Sequence, residues 1–317
     1  MSTTMSGGSR PSRLALIAAF AALYVIWGST YLAILFAIDS IPPLLMAGSR
    51  FLTAGLLLYT IARWQGAPRS GWIDWRTAAI VGACLLLGGN GGVTLAEQYV
   101  PSGLAAVIVA TVPIYIALLG WLTGTAARPR PLVWLGLAGG FCGVAILVAS
   151  SLRMPTGDHP KAGFGMLILL VSSFLWSAGS LYSRRAKNAP SPFLAAGQQM
   201  LCGGALLLLG GIASGELRQF DSHRVTWLSL GAWFYLVTIG AIVAFSAYIW
   251  LLRHCDPAKV ATYAYVNPVV AVLLGAAFAG ETLTARTLVA AALIIGSVAV
   301  VITADQRPAV APLVATE

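Results

Sequence analysis

The chain has 317 residues, of which 58% are hydrophobic and only 9% charged, with a net charge of +9. Soluble domains carry about 25% charged residues, so this composition, with a mean hydropathy of +0.84, excludes a soluble globular protein. The basic charge is spread over short junctions between apolar segments. It is not clustered with aromatics on a polar module, which excludes a nucleic-acid-binding domain.

A helix needs about 20 apolar residues to cross roughly 30 Å of hydrocarbon. Spans are predicted over 14–37, 43–63, 78–98, 101–123, 131–151, 163–183, 192–213, 227–251, 257–279 and 286–303. The first follows Arg10 and Arg13. Its length exceeds the ~7–15 apolar residues of a secretory signal, so it reads as an uncleaved span. It carries Tyr24, Trp27 and Tyr31 at helical spacing. Trp and Tyr favour membrane interfaces. At mid-depth they serve either as apolar core or as the wall of a wet, substrate-bearing space.

Arg50 is the full charge deepest in the second span, seven residues after Pro43. It reaches either the interface by snorkelling, helix-end carbonyls, or a substrate carboxylate. In the third span Asn90, Thr94 and Glu97 fall at i, i+4 and i+7 and share one helix face. Asn90 lies within Gly88-Gly89-Asn90-Gly91-Gly92; such glycines allow either a hinge or close helix approach. The fourth span contains Thr111, Pro113 and Tyr115. Pro113 should free the carbonyl of Val109. The fifth span carries Gly136, Gly139, Gly140 and Gly143. These small residues suit packing within the chain, with a homodimer through Gly136, Gly140 and Gly143 as the alternative.

The pattern then starts again. Trp27, Pro43, Ala47, Gly48, Leu52 and Gly55 recur 149 residues later as Trp176, Pro192, Ala196, Gly197, Leu201 and Gly204. PIYIALLG from Pro113 recurs as PVVAVLLG from Pro268, 155 residues on. Ser246, Trp250 and Arg253 in the eighth span repeat the polar spacing of the third. Tyr263, Asn267 and Pro268 repeat the polar, Pro-broken centre of the fourth in the ninth, where Pro268 should free the carbonyl of Ala264. An odd number of spans per copy forces the second copy to lie upside down. Inverted repeats with a midplane site at their interface are a construction principle of secondary transporters.

With the N-terminus inside, 13 Lys or Arg residues fall in inner segments and 5 in outer loops. That asymmetry places both termini in the cytoplasm. The expected organisation is a cytoplasmic N-terminus (1–13), a first repeat (14–151), a second repeat (163–303) and a cytoplasmic tail (304–317). Cys84, Cys142, Cys202 and Cys255 have no metal-ligand spacing. No GxSxG, P-loop or HExxH string is present. No cofactor, metal or catalytic residue is therefore predicted, and a small-molecule substrate and the lipid bilayer are the expected partners.

WGSTY in the first span, Arg50-Phe51, PSGLAAVIVATVP from Pro101, YAYVNPVVAVLLG from Tyr263 and Gly280-Glu281 resemble the EamA-type drug/metabolite transporter superfamily. Within it they resemble YedA-like inner-membrane permeases. The resemblance covers residues 14–303. It implies ten transmembrane helices in two inverted five-helix halves, with spans one to four and six to nine around a central cavity. It also implies export of amino acids or related small metabolites. Gly280-Glu281 has no counterpart in the first copy, where Thr125-Ala126 stands, so any role of Glu281 is asymmetric. The expected substrate-binding set is Trp27, Tyr31, Asn90, Thr94, Tyr115, Trp176, Ser246, Tyr263 and Asn267. Gly89, Gly91, Pro113 and Pro268 are the expected breaks, and Arg50, Glu97 and Glu281 the intramembrane charges. The rival readings are an integral-membrane enzyme and a scaffold subunit without flux.

Overall fold

Hydrocarbon offers no water to backbone amides and carbonyls, so a spanning segment must bond internally. In the computed structural model the described residues (11–100, 105, 108–148, 162–278 and 285–304) accordingly form helices and no strands. Glu281, Pro101, the 149–161 connection, residues 1–10 and the tail after Ala304 lie outside the described residues.

The principal helices are α1 (Arg13–Ile38), α2 (Pro43–Trp64), α3 (Trp72–Ala96), α4 (Val112–Leu122), α5 (Pro131–Val148), α6 (Ala162–Arg185), α7 (Pro192–Ala213), α8 (Trp227–His254), α9 (Tyr263–Phe278) and α10 (Ala285–Ala304). Among the described residues, six are long and apolar enough to cross a bilayer: α1, α2, α3, α6, α7 and α8, at 22 to 28 residues each. At 1.5 Å per residue, 22 residues reach about 33 Å, just beyond the hydrocarbon thickness.

The helix starts have local causes. The Ser12 hydroxyl accepts the amide of Ala15 at 3.1 Å and caps α1. Thr226 caps α8 by accepting Ser229 N at 3.1 Å. α2 begins on Pro43, with Pro42 at the capping position and no side-chain cap of its own. Its cap comes from far away. The buried Glu216, on a short helix after α7, accepts Leu44 N at 3.2 Å and Leu45 N at 2.9 Å. A carboxylate there also meets the positive end of the helix dipole.

Two helices are not uniformly α-helical. Gly82–Gly91 in α3 and Leu236–Phe245 in α8 are π-helical stretches of ten residues each. They stand 154 residues apart, at matching places in the repeated pattern. The fourth predicted span is broken: a turn at Ala110–Thr111 precedes α4, and Pro113 sits in the first helical turn, where no amide is missed. The ninth is divided at Ala261–Thr262, between a short helix Pro257–Val260 and α9. Pro268 lies inside α9.

α2 and α7 make the most extensive contact in the molecule, followed by α5 with α10. α1 packs on α8 and α9, while α6 packs on α3 and α4. Exchanging α1–α5 with α6–α10 turns each of these contacts into another of the set. The α2–α7 contact is made through repeated glycines. A Cβ on Gly55 would lie 2.8 Å from Leu201 N and 3.0 Å from Gly197 O, and one on Gly204 would lie 2.6 Å from Leu52 N and 3.1 Å from Gly48 O. Small residues let backbones approach where lipid supplies no hydrophobic drive to helix pairing.

The glycines of α5 face the same chain. Cβ atoms on Gly136 and Gly143 would strike Val301 and Ile294 of α10 at 2.9 and 2.7 Å, and one on Gly140 would strike the Tyr265 ring at 2.9 Å. That face is covered within the protomer, so a homodimer through Gly136, Gly140 and Gly143 would have to displace α10.

Candidate functional site

Where α1, α2, α3, α6, α8 and α9 converge with Val109 and Val112, they leave a cavity of about 90 Å³, measured at the centres of water-sized spheres. A single water needs about 10–15 Å³ on this measure and occupies about 30 Å³ in the liquid, so there is room for a few waters or one small solute. Trp27, Tyr31, Asn90, Trp176, Tyr263 and Asn267 are on its wall, together with Arg50 and Gly89. So are Thr30, Phe51, Ser172, Ser173, Gly240 and Phe245.

One side of the cavity is an aromatic cluster. The Trp27 ring meets Tyr263 edge-on at 4.7 Å and Trp176 at 5.5 Å, and lies 5.1 Å from Tyr248. Such pairs contribute about 0.5–1.5 kcal/mol each beyond their burial. Tyr248 holds the cluster in place. Its hydroxyl accepts the Trp176 indole N–H at 3.0 Å and shares a hydrogen bond with Ser180 Oγ at 2.6 Å. The Trp27 indole donates to the Gly240 carbonyl at 3.4 Å, within the π-helical stretch of α8. A π turn alters the i→i−4 ladder and is frequent at functional sites. Here it aims a backbone carbonyl at the cavity wall.

The other side is polar. Arg50 is 3% exposed and does not snorkel. Its guanidinium donates to Asn90 Oδ1 and lies over the Phe51 ring, 4.5 Å from the centroid. Arg50's repeat mate Gln199 donates instead to Asn188 Oδ1 at 3.3 Å, so the two halves differ in charge at this level. Across the cavity, the Asn267 amide nitrogen faces two carbonyls, donating to Tyr263 O at 3.0 Å and Tyr24 O at 3.3 Å. Tyr24 in turn bonds Thr262 Oγ1 at 2.6 Å, tying α1 to the break before α9.

Three residues expected at the site stand elsewhere. Thr94 is fully buried and returns its hydroxyl to the Asn90 carbonyl at 2.9 Å. Tyr115 packs edge-on against Phe174 at 6.0 Å, away from the cavity wall. Ser246 is buried off the wall. The spacing that paired it with Asn90 assumed an uninterrupted α-helix and an offset of 156. The two π stretches match at 154 instead. At that offset Thr94 corresponds to Tyr248, whose place under the aromatic cluster the spacing missed. Beyond Ser246 the expected stripe serves the C-terminal end of the helix. Arg253 donates to the carbonyls of Ala189 at 2.8 Å and Pro190 at 3.0 Å, and Trp250 stacks on His254 at 4.4 Å.

The glycine run in α3 is a tight seam. A Cβ on Gly89 or Gly91 would lie 2.5 Å from Trp176 Cε3 or Leu207 Cδ2. Glu97, one turn beyond the cavity-lining Val93 at the end of α3, is off the cavity wall. Among the described residues, no group of three or more His, Cys, Asp or Glu side chains is arranged to hold a metal ion.

Comparison with known proteins gives this architecture a place. The EamA-like transporter family model matches residues 13–149 and again residues 163–303. An uncharacterised inner membrane transporter of Escherichia coli (strain K12), YedA, is 39% identical over 306 residues, covering 95% of this chain and 96% of that protein. A probable amino-acid metabolite efflux pump of Salmonella typhimurium is 26% identical, over 85% of this chain and 89% of its own. A protein of known crystal structure, 22% identical, superposes over 93% of this chain and all of its own with a TM-score of 0.75. Two family matches spanning nearly the whole chain, and a relative this similar over its full length, leave one assignment: the chain belongs to the EamA-like transporter family.

Proposed function

We propose that this protein is a secondary carrier that exports small metabolites such as amino acids by alternating access across a bacterial inner membrane. It has no enzymatic step and both termini are in the cytoplasm. Ten spans form two inverted halves, residues 14–151 and 163–303. The reading is supported by the packing, which is preserved when α1–α5 are exchanged with α6–α10. The family model also matches twice, and the basic residues fall mainly on one side of the predicted topology.

The observation that carries the proposal is the cavity itself, because both halves contribute to one partly polar wall: Trp27, Tyr31, Arg50 and Asn90 from the first, Trp176, Tyr263 and Asn267 from the second. Buried polar groups in a membrane are costly and mark solute pathways. The breaks at Ala110–Thr111 and Ala261–Thr262, with Pro113 and Pro268 behind them, give α4 and α9 places to bend. The printed name of the Salmonella typhimurium relative favours amino-acid metabolites as cargo. Thr94, Tyr115 and Ser246 are left out of the binding set. No observation favours an enzyme or a scaffold.

Counterflow in proteoliposomes with a mixed pool of labelled L-amino acids tests this. Exchange is expected for the wild type, with at least a tenfold loss in Asn90→Leu and Asn267→Leu. Unchanged exchange in both variants would mean that the solute passes elsewhere.

A further inference from the structure

Several buried polar atoms around the cavity have unused bonding capacity. Both carboxylate oxygens of Glu97 are buried and accept no hydrogen bond from any described residue. Arg50 bonds Asn90 through its terminal nitrogen, but its Nε has no partner. Ser173, on the cavity wall, has a buried hydroxyl without one. Glu97 and Arg50 are an acid and a base on neighbouring helices, yet no ion pair within 4.0 Å joins them.

An unpaired carboxylate away from water is expensive, and an opposite charge nearby offsets that cost only when geometry and hydrogen bonds are good. Here the two groups are held apart. Arg50 is anchored by Asn90 and by the Phe51 ring. Glu97 is fixed at the end of α3, four residues beyond Val93 on the same helix face. A solute that fits between them must accept from a guanidinium at one end and donate to a carboxylate at the other.

We infer that Arg50 and Glu97 form a two-point receptor for a zwitterion, with Arg50 taking the solute's carboxylate and Glu97 its ammonium group. This rests on the carrier reading and narrows its substrate class to free α-amino acids with an uncharged side chain. The side chain lies against Trp27, Trp176 and Tyr263. Charge-assisted bonds of this kind are about twice as strong as neutral ones. A site built around buried polar partners strongly rejects analogues that leave one of them unpaired. Arg50's counterpart in the second half is Gln199, so the receptor is single and polar, with a fixed orientation for the solute.

The experiment is competition in the counterflow assay. Whichever labelled L-amino acid of the pool exchanges best is challenged with three unlabelled competitors: itself, its α-amide, and the α-hydroxy acid of the same side chain. The amide lacks the carboxylate charge and the hydroxy acid lacks the ammonium. The expected result is that the amino acid competes at least tenfold better than either analogue. In Glu97→Gln its advantage over the hydroxy acid shrinks to threefold or less, while its advantage over the amide persists. In Arg50→Gln, which places at this position the residue found at 199, the reverse holds. Analogues competing within threefold of the amino acid on the wild-type protein would overturn the inference and leave the carrier reading standing. So would a Glu97→Gln protein with its full discrimination intact. Silence of the whole pool with folded protein would overturn the carrier reading for amino acids, and the receptor with it. The wild-type arm decides the matter even where a variant fails to fold.

Discussion

Gly204 in α7 faces backbone, and this makes its replacement a sharp test of how the molecule is held together. A Cβ there would sit 2.6 Å from Leu52 N, 3.1 Å from Leu52 Cα and 3.1 Å from Gly48 O. None of these atoms can rotate away, so α2 and α7 must move apart by something near 1 Å for Gly204→Ala to fit. That movement also loosens the reciprocal approach of Gly55 and Gly197. Overpacking of this kind costs about 1–3 kcal/mol, against a helix-propensity gain of up to about 1 kcal/mol for Gly→Ala. A net loss of up to about 2 kcal/mol is expected, lowering the melting temperature by up to about 3 °C for a chain of this length. Gly210 on the same helix is the control. Its nearest neighbours are side-chain methyls of Leu44 and Leu87 at 3.7 and 3.9 Å, so Gly210→Ala should leave stability unchanged or slightly higher. Intrinsic tryptophan fluorescence during heating of the detergent-solubilised protein reads both. The reasoning fails if Gly204→Ala melts at or above the wild type, or if the two variants shift by the same amount.

Glu216→Ala should destabilise the protein by about 1–3 kcal/mol, the usual cost of losing hydrogen bonds to a charged cap. Glu216→Gln should lose less because one oxygen acceptor remains, and the same melting assay ranks the two. Tyr248→Phe removes the acceptor of the Trp176 indole and the partner of Ser180. It should cost about 1–3 kcal/mol and reduce exchange more than it reduces melting temperature, as paired transport and thermal measurements would reveal. Arg253→Ala frees the carbonyls of Ala189 and Pro190. Ala189 is buried and Pro190 exposed, so stranding the buried carbonyl should cost about 1–3 kcal/mol, which the same melting assay reads. A loss well below about 1 kcal/mol would mean that water reaches the α6–α7 connection once the guanidinium is gone.

Much of the cavity wall was legible because the same residue types recur at one spacing. Trp27 and Trp176 stand 149 residues apart at equivalent places in α1 and α6 and meet edge-on at 5.5 Å. Gly48 and Gly55 recur as Gly197 and Gly204 because α2 and α7 pack against each other through the same surface. Thr94 failed as a cavity residue for a reason that helical spacing cannot reveal: a short hydroxyl in an apolar helix satisfies itself on the carbonyl four residues back. Ser246 failed because the spacing matches it to Asn90 at an offset of 156, whereas the π stretches match at 154 and set Ser246 opposite Gly92, and nothing in LVTIGAIVAF announces such a stretch. In the sequence Tyr248 is one of ten tyrosines, and only the 154-residue offset of the two π stretches singles it out. Glu216 was invisible as a cap, because its partners lie 171 and 172 positions earlier in the chain.

The carboxylate of Glu216 gives the α2–α7 seam a mechanical meaning. This residue belongs to the segment that leaves α7, yet it grips the first amides of α2. The two helices are thus fastened at one end by an ion and along their length by apposed backbone. Drawing them apart would strand a buried carboxylate and two amides and open voids beside four glycines. α1 and α6, which meet through the rings of Trp27 and Trp176, face no such penalty, since aromatic edges slide at small cost. The central pair is therefore the contact that costs most to part, and under the proposed carrier cycle the cavity would open and close by turning about it.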